Sequence, residues 1–129
     1  MRDLVALLIC AFCPAELSAC SPNPEPDTAL LRGIYGQEFE AGRATLQSRM
    51  QARYPTGSSD AGLLRYLQSQ GFAGHRNIVP GNVENPVRGT VRLFRKRTGC
   101  DIVVGVDWRA TVEGKVTELD AIYSDVGCL

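Results

Sequence analysis

The chain has 129 residues, enough for one small domain beside a leader segment. Its 14 basic residues balance its 14 acidic ones, which excludes the strong bulk attraction to nucleic acid that a basic protein shows. The charge is unevenly spread, because arginines dominate between Arg32 and Arg97 and acidic residues dominate from Asp101 onward.

Residues 1–19 have the pattern of a bacterial lipoprotein signal peptide. Arg2 precedes an apolar run from Leu4 to Cys13, which is shorter than the roughly 20 residues of a membrane-spanning helix. The stretch Leu17-Ser18-Ala19-Cys20 then resembles the lipobox of lipoprotein precursors, in which the cysteine thiol accepts a diacylglycerol before cleavage. We therefore expect lipidation at Cys20 and attachment to a membrane through that lipid.

The number of cysteines favours lipidation over ordinary secretory cleavage after Ala19 or Ala15. The five cysteines are Cys10, Cys13, Cys20, Cys100 and Cys128. Cleavage before Cys20 discards the first two, the lipid occupies the third, and one pair remains for a disulfide in an oxidising compartment. In the lipoproteins that this signal resembles, a serine such as Ser21 permits export to the outer membrane, where we expect the protein to face the periplasm.

Residues 20–27 are predicted to be a lipidated tether, because alternating prolines favour the extended polyproline II conformation. Residues 28–129 then form a single domain that begins with two helices. The first is predicted over residues 28–53, where apolar residues recur at helical spacing, and Pro55 follows its end. The second is capped by Ser58 or Ser59 and ends near Gly71-Phe72. Residues 73–86, rich in glycine, proline and asparagine, are predicted to be a long loop.

Three alternating segments, residues 87–98, 101–111 and 116–125, are predicted to be antiparallel strands joined by turns near Gly99 and Gly114. The fold class is therefore α+β, with two N-terminal helices packed on a three-stranded antiparallel sheet. Trp108 shares the parity of the apolar residues and is expected in the core. A fold about Gly114 sets Cys100 opposite Cys128, which predicts a disulfide between neighbouring strands.

The chain also resembles a class of small envelope lipoproteins in which two helices precede a three-stranded sheet. The shared motifs here are Pro55-Thr56-Gly57-Ser58, Gly71-Phe72, and the late series of Cys100, Trp108, Gly114-Lys115-Val116 and Cys128-Leu129. They are similar to uncharacterised proteobacterial lipoproteins and, more weakly, to the small accessory lipoprotein of the outer-membrane β-barrel assembly machine. The resemblance implies a non-catalytic accessory role. It identifies no active site, and the chain lacks the Leu-Gly-x-Pro turn of the assembly lipoprotein.

No catalytic site, cofactor site or metal site is predicted from the sequence. His75 is the single histidine and falls in the predicted loop, where a solvent-exposed role is favoured over that of a general base. The acidic residues Glu118, Asp120 and Asp125 do not match a calcium-loop spacing. A small hydrolase acting on the cell envelope through paired carboxylates is the least favoured alternative.

A basic strand is the main candidate for partner binding. Arg88, Arg92 and Lys96 share one strand face, next to His75 and Arg76 of the predicted loop. Such a surface suits an envelope protein or an anionic cell-wall partner. The favoured alternative is that these charges protect the edge of the sheet or pair with acidic residues such as Asp107 on the neighbouring strand. The sequence thus predicts a binding lipoprotein, with an inhibitor or immunity lipoprotein as the second hypothesis.

Overall fold

The computed structural model describes residues 28–128, which share one hydrophobic core. Two helices, α1 (Phe39–Arg53) and α2 (Asp60–Ser69), precede four strands, β1 (Ala73–Ile78), β2 (Val87–Arg95), β3 (Asp101–Ala110) and β4 (Val116–Val126). The strands form one antiparallel sheet in the order β1-β2-β3-β4. The α+β class is confirmed, but the predicted number of three strands is wrong. The signal peptide and the tether, including Cys20, lie outside the described residues.

The fourth strand is β1, which occupies the first half of the predicted loop 73–86. Its six residues pair in continuous antiparallel register with β2, from Ala73 opposite Arg92 to Ile78 opposite Val87. All six are exposed, so no residue of β1 contributes a buried apolar side chain. The alternation that identifies a half-buried strand is therefore absent from this sequence.

The first predicted helix is shorter than expected, because regular helix begins only at Phe39. Residues 28–37 instead form successive turns, in which Leu31, Ile34 and Gln37 each donate a backbone hydrogen bond to the carbonyl three residues earlier. Gly33 takes a left-handed φ of 76°, which a continuous helix does not accommodate. The turns bury apolar residues three apart, and this spacing also fits a helix.

The second helix begins and ends as the sequence predicts. The Ser59 side chain accepts a hydrogen bond from the backbone N–H of Gly62 at 3.1 Å, and Asp60 occupies the first turn. At the other end, Gly71 has a φ of 94°, and the buried Phe72 donates its N–H to the carbonyl of Leu67.

The helices cover one face of the sheet, and α1 packs mainly against β4. The core side of the sheet carries a row formed by Gly89, Trp108 and Leu119, and a parallel row formed by Val91, Val106 and Ala121. Trp108 is 2% exposed, which agrees with its expected place in the core. Gly89 leaves the space that the indole ring fills, since a Cβ there would overlap the ring.

The edges of the sheet are β1 and β4, so β2 is an inner strand and its predicted edge position is wrong. The first half of the outer edge of β4 is covered. Val116 exchanges backbone hydrogen bonds with Gly57 and Ser58 at 2.7 and 2.8 Å. Further along, the side-chain amide of Gln47 donates to the Leu119 carbonyl and accepts from the Ala121 N–H, both at 2.6 Å.

The two cysteines of the domain are joined. Cys100 and Cys128 are bonded with an S–S distance of 2.10 Å and a Cα–Cα distance of 4.1 Å. The ladder pairs Asp101 with Val126, so the strands are shifted by one residue from the register predicted by a fold about Gly114. At the turn, Ala110 pairs with Val116, two residues short of the predicted register. The irregularity at Arg109/Ala110 restores one of these residues and leaves a shift of one.

Candidate functional site

The second face of the sheet, which we call the open face, carries mostly polar and charged side chains. Register places His75, Thr90, Asp107 and Asp120 in one row across all four strands. A neighbouring row is formed by Asn77, Arg88, Arg109 and Glu118. Cross-strand neighbours on one face lie close enough for their side chains to interact. The two rows therefore form a continuous polar surface.

Asp107 organises the centre of this surface. Its carboxylate accepts two hydrogen bonds from the Arg92 guanidinium, at 2.7 and 3.2 Å, and one from the Thr90 hydroxyl at 2.8 Å. Gly105 lies beneath the Arg92 side chain, where a Cβ would come within 2.8 Å of the guanidinium. The bidentate geometry fixes both side chains in one orientation.

The pKa of Asp107 is lower than its ordinary value. Partial burial acts to raise this pKa, but the hydrogen bonds from Arg92 and Thr90 and the positive charges of Arg92 and Arg88 outweigh it. Asp107 therefore remains ionised near neutral pH, as a hydrogen-bond acceptor. This state does not suit the role of a general acid for Asp107 itself.

A shallow depression of about 480 Å³ lies on the open face. Its charged and hydroxyl-bearing lining residues are Arg88, Thr90, Asp107, Arg109, Glu118 and Asp120. Arg109 Nε lies 3.6 Å from Glu118 Oε2, and the two side chains are 37% and 64% exposed. The depression thus offers donors on one side and carboxylate acceptors on the other, which suits a polar partner surface.

The five predicted binding residues do not form a single patch. Arg88, Arg92 and His75 lie on the open face, with Arg92 bound to Asp107. Lys96 follows the end of β2, between Arg95 and Arg97, in the hairpin next to Tyr35. The guanidinium of Arg95 lies 4.3 Å above the Tyr35 ring.

Arg76 projects to the helical side of the sheet. Its guanidinium donates a hydrogen bond of 2.6 Å to the carboxylate of Asp60, the buried first residue of α2. The Asp60 side chain is 2% exposed, whereas that of Arg76 is 42% exposed. This pair links α2 to β1 and does not contribute to the open face.

The predicted pairing of a basic residue with Asp107 is confirmed by Arg92. The positions of Thr90 and Asp120 beside Asp107 were missed, because they depend on the registers of three strand pairs. The role of Asp60 was also missed. A carboxylate at the start of a helix is favoured by the helix dipole, and the sequence gives no sign of the ion pair, because only the position of β1 brings Arg76 to Asp60.

Within residues 28–128, Cys100, Asp125 and Cys128 form a group of potential metal ligands. Both sulfur atoms of this group are in the disulfide, which removes them as thiolate ligands.

No protein-family model, curated protein or solved structure matches the chain. Among the described residues, no helix combines the length and apolar character needed to cross a bilayer.

Proposed function

We propose that the protein is a bacterial envelope lipoprotein, anchored through Cys20, that acts without catalysis as a binding module for a protein or an anionic cell-wall partner. The lipobox-like stretch Leu17–Cys20, the tether at 20–27 and the single remaining cysteine pair support the anchor. The expected location is the periplasmic side of the outer membrane.

The observation that carries the binding role is the open face. Both helices pack on the opposite side of the sheet, and Arg88 remains exposed beside the depression that Asp107 and Arg92 organise. The lowered pKa of Asp107 keeps the central carboxylate charged, so the surface offers fixed acceptors next to accessible donors. Such a polar, shallow surface favours recognition of another macromolecule over enclosure of a small substrate.

The anchor is tested by the intact mass of the mature protein from a membrane fraction, beside a Cys20→Ser variant. We expect a diacylated N-terminus at Cys20 and, on reduction, a mass increase of one hydrogen for each of Cys100 and Cys128. A soluble product without lipid would contradict the anchor and would make a diffusible inhibitor the leading hypothesis.

The binding face is tested by charge reversal. Arg88→Glu should weaken retention of the partner, whether on purified peptidoglycan or on envelope proteins crosslinked to the mature chain, by about tenfold at low salt. Arg43→Glu is the matched control, because Arg43 is an exposed arginine on α1, away from the sheet. Equal retention of the two variants would exclude the open face as the contact surface. A partner that is an enzyme blocked in a fixed stoichiometry would instead favour the inhibitor hypothesis.

A further inference from the structure

The two edges of the sheet differ in a way that points to a second binding surface. Backbone groups along the first half of the outer edge of β4, from Val116 to Ala121, are bonded to the segment before α2 and to the Gln47 amide. Among residues 28–128, no hydrogen bond covers the outer edge of β1. Unpaired strand edges recruit further strands, and proteins commonly cover or block them.

The register shows which groups β1 presents. Val79 donates its N–H to the Pro86 carbonyl at 2.7 Å, which extends the β1–β2 ladder by one hydrogen-bonded pair. Hydrogen-bonded and non-hydrogen-bonded pairs alternate in an antiparallel ladder. Ala73, His75 and Asn77 therefore bond to β2, whereas Gly74, Arg76 and Ile78 direct their N–H and C=O groups outward.

A pocket lies beside this edge, on the helical side of the sheet. It has a volume of about 260 Å³ and is lined by Arg76, Asn77, Ile78, Val87, Val112 and Gly114. Ile78 and Val112 are both 70% exposed, so apolar surface there lacks a partner within the described chain. The pocket has the size and lining for one medium-sized apolar side chain.

We propose that the outer edge of β1 binds an extended segment of a partner protein as a fifth strand of the sheet. Backbone hydrogen bonds to Gly74, Arg76 and Ile78 give affinity, and one apolar side chain of the segment fills the pocket beside Ile78. Side chains on the other side of the added strand face the open face near His75 and Arg88, where an acidic residue is complementary. This mode of recognition combines strand pairing with a side-chain pocket.

A second copy of this chain fits the edge less well than a foreign segment. The antiparallel self-pairing that uses all three outward-facing residues centres on Arg76 and places it directly opposite its own counterpart. Like charges directly opposite each other destabilise a strand pair. The partner is therefore a different chain, and the pocket beside Ile78 and the exposed Arg88 favour a segment with alternating apolar and acidic residues.

The inference deepens the proposed binding function and rests on it for the existence of a partner. A library of random displayed peptides long enough to span β1 is selected against the unlipidated mature chain, residues 20–129 with Cys20→Ser. We expect enriched peptides to alternate apolar and acidic residues. Absence of any enriched sequence would overturn the proposal.

The best enriched peptide is then measured by fluorescence polarisation. Ile78→Pro removes an outward N–H without removing a bond to β2 and should weaken binding by about tenfold beyond Ile78→Ala, which removes only the side chain. Equal affinities of the two variants would contradict strand addition. Thermal unfolding of both variants shows whether the fold is retained.

Peptide variants test the same contact with the protein unchanged. Only every second N–H group of an added strand faces β1. N-methylation of that set of alternate peptide amides should abolish binding, and N-methylation of the other set should leave the affinity within about twofold. Equal sensitivity of the two sets would overturn the proposal. A dimer in solution that Ile78→Pro dissociates would assign the edge to a second copy and would also overturn it.

The two proposals fail separately. If Arg88→Glu has no effect on retention of the natural partner but Ile78→Pro abolishes it, the open face and the acidic complement to Arg88 are excluded, and strand pairing at the edge of β1 stands. If the mature protein lacks lipid but the peptide results hold, the anchor fails and strand addition stands.

Discussion

Gly89 shows how one missing side chain determines the packing of the core. The Trp108 ring occupies the position that a Cβ on Gly89 would take, and Trp108 is nearly fully buried between the sheet and the helices. Gly89→Ala should therefore force the indole ring or the helices to move. Overpacking of this kind costs about 1–3 kcal/mol of the free energy of unfolding, which urea denaturation measures.

The matched control is Gly36→Ala. A Cβ on Gly36 would meet no atom closer than 4.0 Å, and its φ is not left-handed. We expect a change within about 0.5 kcal/mol for this variant. Similar losses for both glycines would show that the indole contact does not limit the substitution at position 89.

The sequence predicts individual core residues where alternation is visible, and Trp108 is one example. It does not indicate Gly89, because a glycine adds nothing to a hydrophobic pattern, and its partner is known only from the β2–β3 register. Gly42 is a similar case, since its importance depends on the Tyr123 ring that lies against α1.

At the scale of elements, the Arg92–Asp107 pair joins β2 and β3 and makes stability depend on pH. Because the pKa of Asp107 is lowered in the folded state, its contribution is present above the unfolded pKa of about 4 and is lost as the pH falls through the folded pKa. Both side chains are partly exposed, so we expect about 0.5–1 kcal/mol at neutral pH.

The measurement compares the free energy of unfolding of Asp107→Asn with that of the unmodified protein from neutral pH to about pH 2. The difference between them should shrink toward acid. Asp101→Asn, at the partly exposed start of β3, gives the baseline for removal of a carboxylate. A difference independent of pH would contradict the role of the Asp107 charge.

Gln47 connects α1 to the edge of β4. Its amide satisfies both a carbonyl and an N–H of β4, so Gln47→Met leaves Leu119 and Ala121 without these partners. We expect a loss of about 1–3 kcal/mol, measured by urea denaturation. Gln51→Met is the control, since Gln51 is exposed on the same helix. An equal effect at the two positions would indicate a change in helix propensity and exclude the edge contact as the cause.

A strand could be predicted where one of its faces is buried, and it could not be predicted where both of its faces are exposed. β2 and β4 alternate more and less buried residues over most of their length, and β3 does so from Val106 onward. The predicted bounds of these three strands lie within three residues of those observed. β1 is exposed throughout, so its strand conformation depends on pairing with β2 and on the close backbone approach that Gly74 allows.

At the scale of the whole molecule, the disulfide links the start of β3 to the end of β4. Cys100 and Cys128 are 28 residues apart, and in the chain-entropy model a link of this length contributes roughly 3–4 kcal/mol. The double variant Cys100→Ser and Cys128→Ser should lose about this amount, measured by chemical denaturation without reductant. Reduction of the unmodified protein should give the same midpoint, and a stability unaffected by either change would contradict the estimate.

The candidate site was predictable in part at this scale. Strand parity placed Arg88 and Arg92 on one face, and that placement agrees with the structure. The separation of Arg76 and Lys96 from them could not be predicted, because it depends on a fourth strand that turns Arg76 toward Asp60 and on the earlier end of β2 at Arg95.

The Asp60–Arg76 pair has a consequence for the entropy of binding. An exposed edge strand ordinarily frays, and any partner must then supply the free energy needed to order it. If β1 separated from the sheet, the buried carboxylate of Asp60 would lose its guanidinium, and an unpaired buried charge is strongly unfavourable. The pair therefore keeps β1 extended before any partner arrives, so an incoming segment meets a preorganised template.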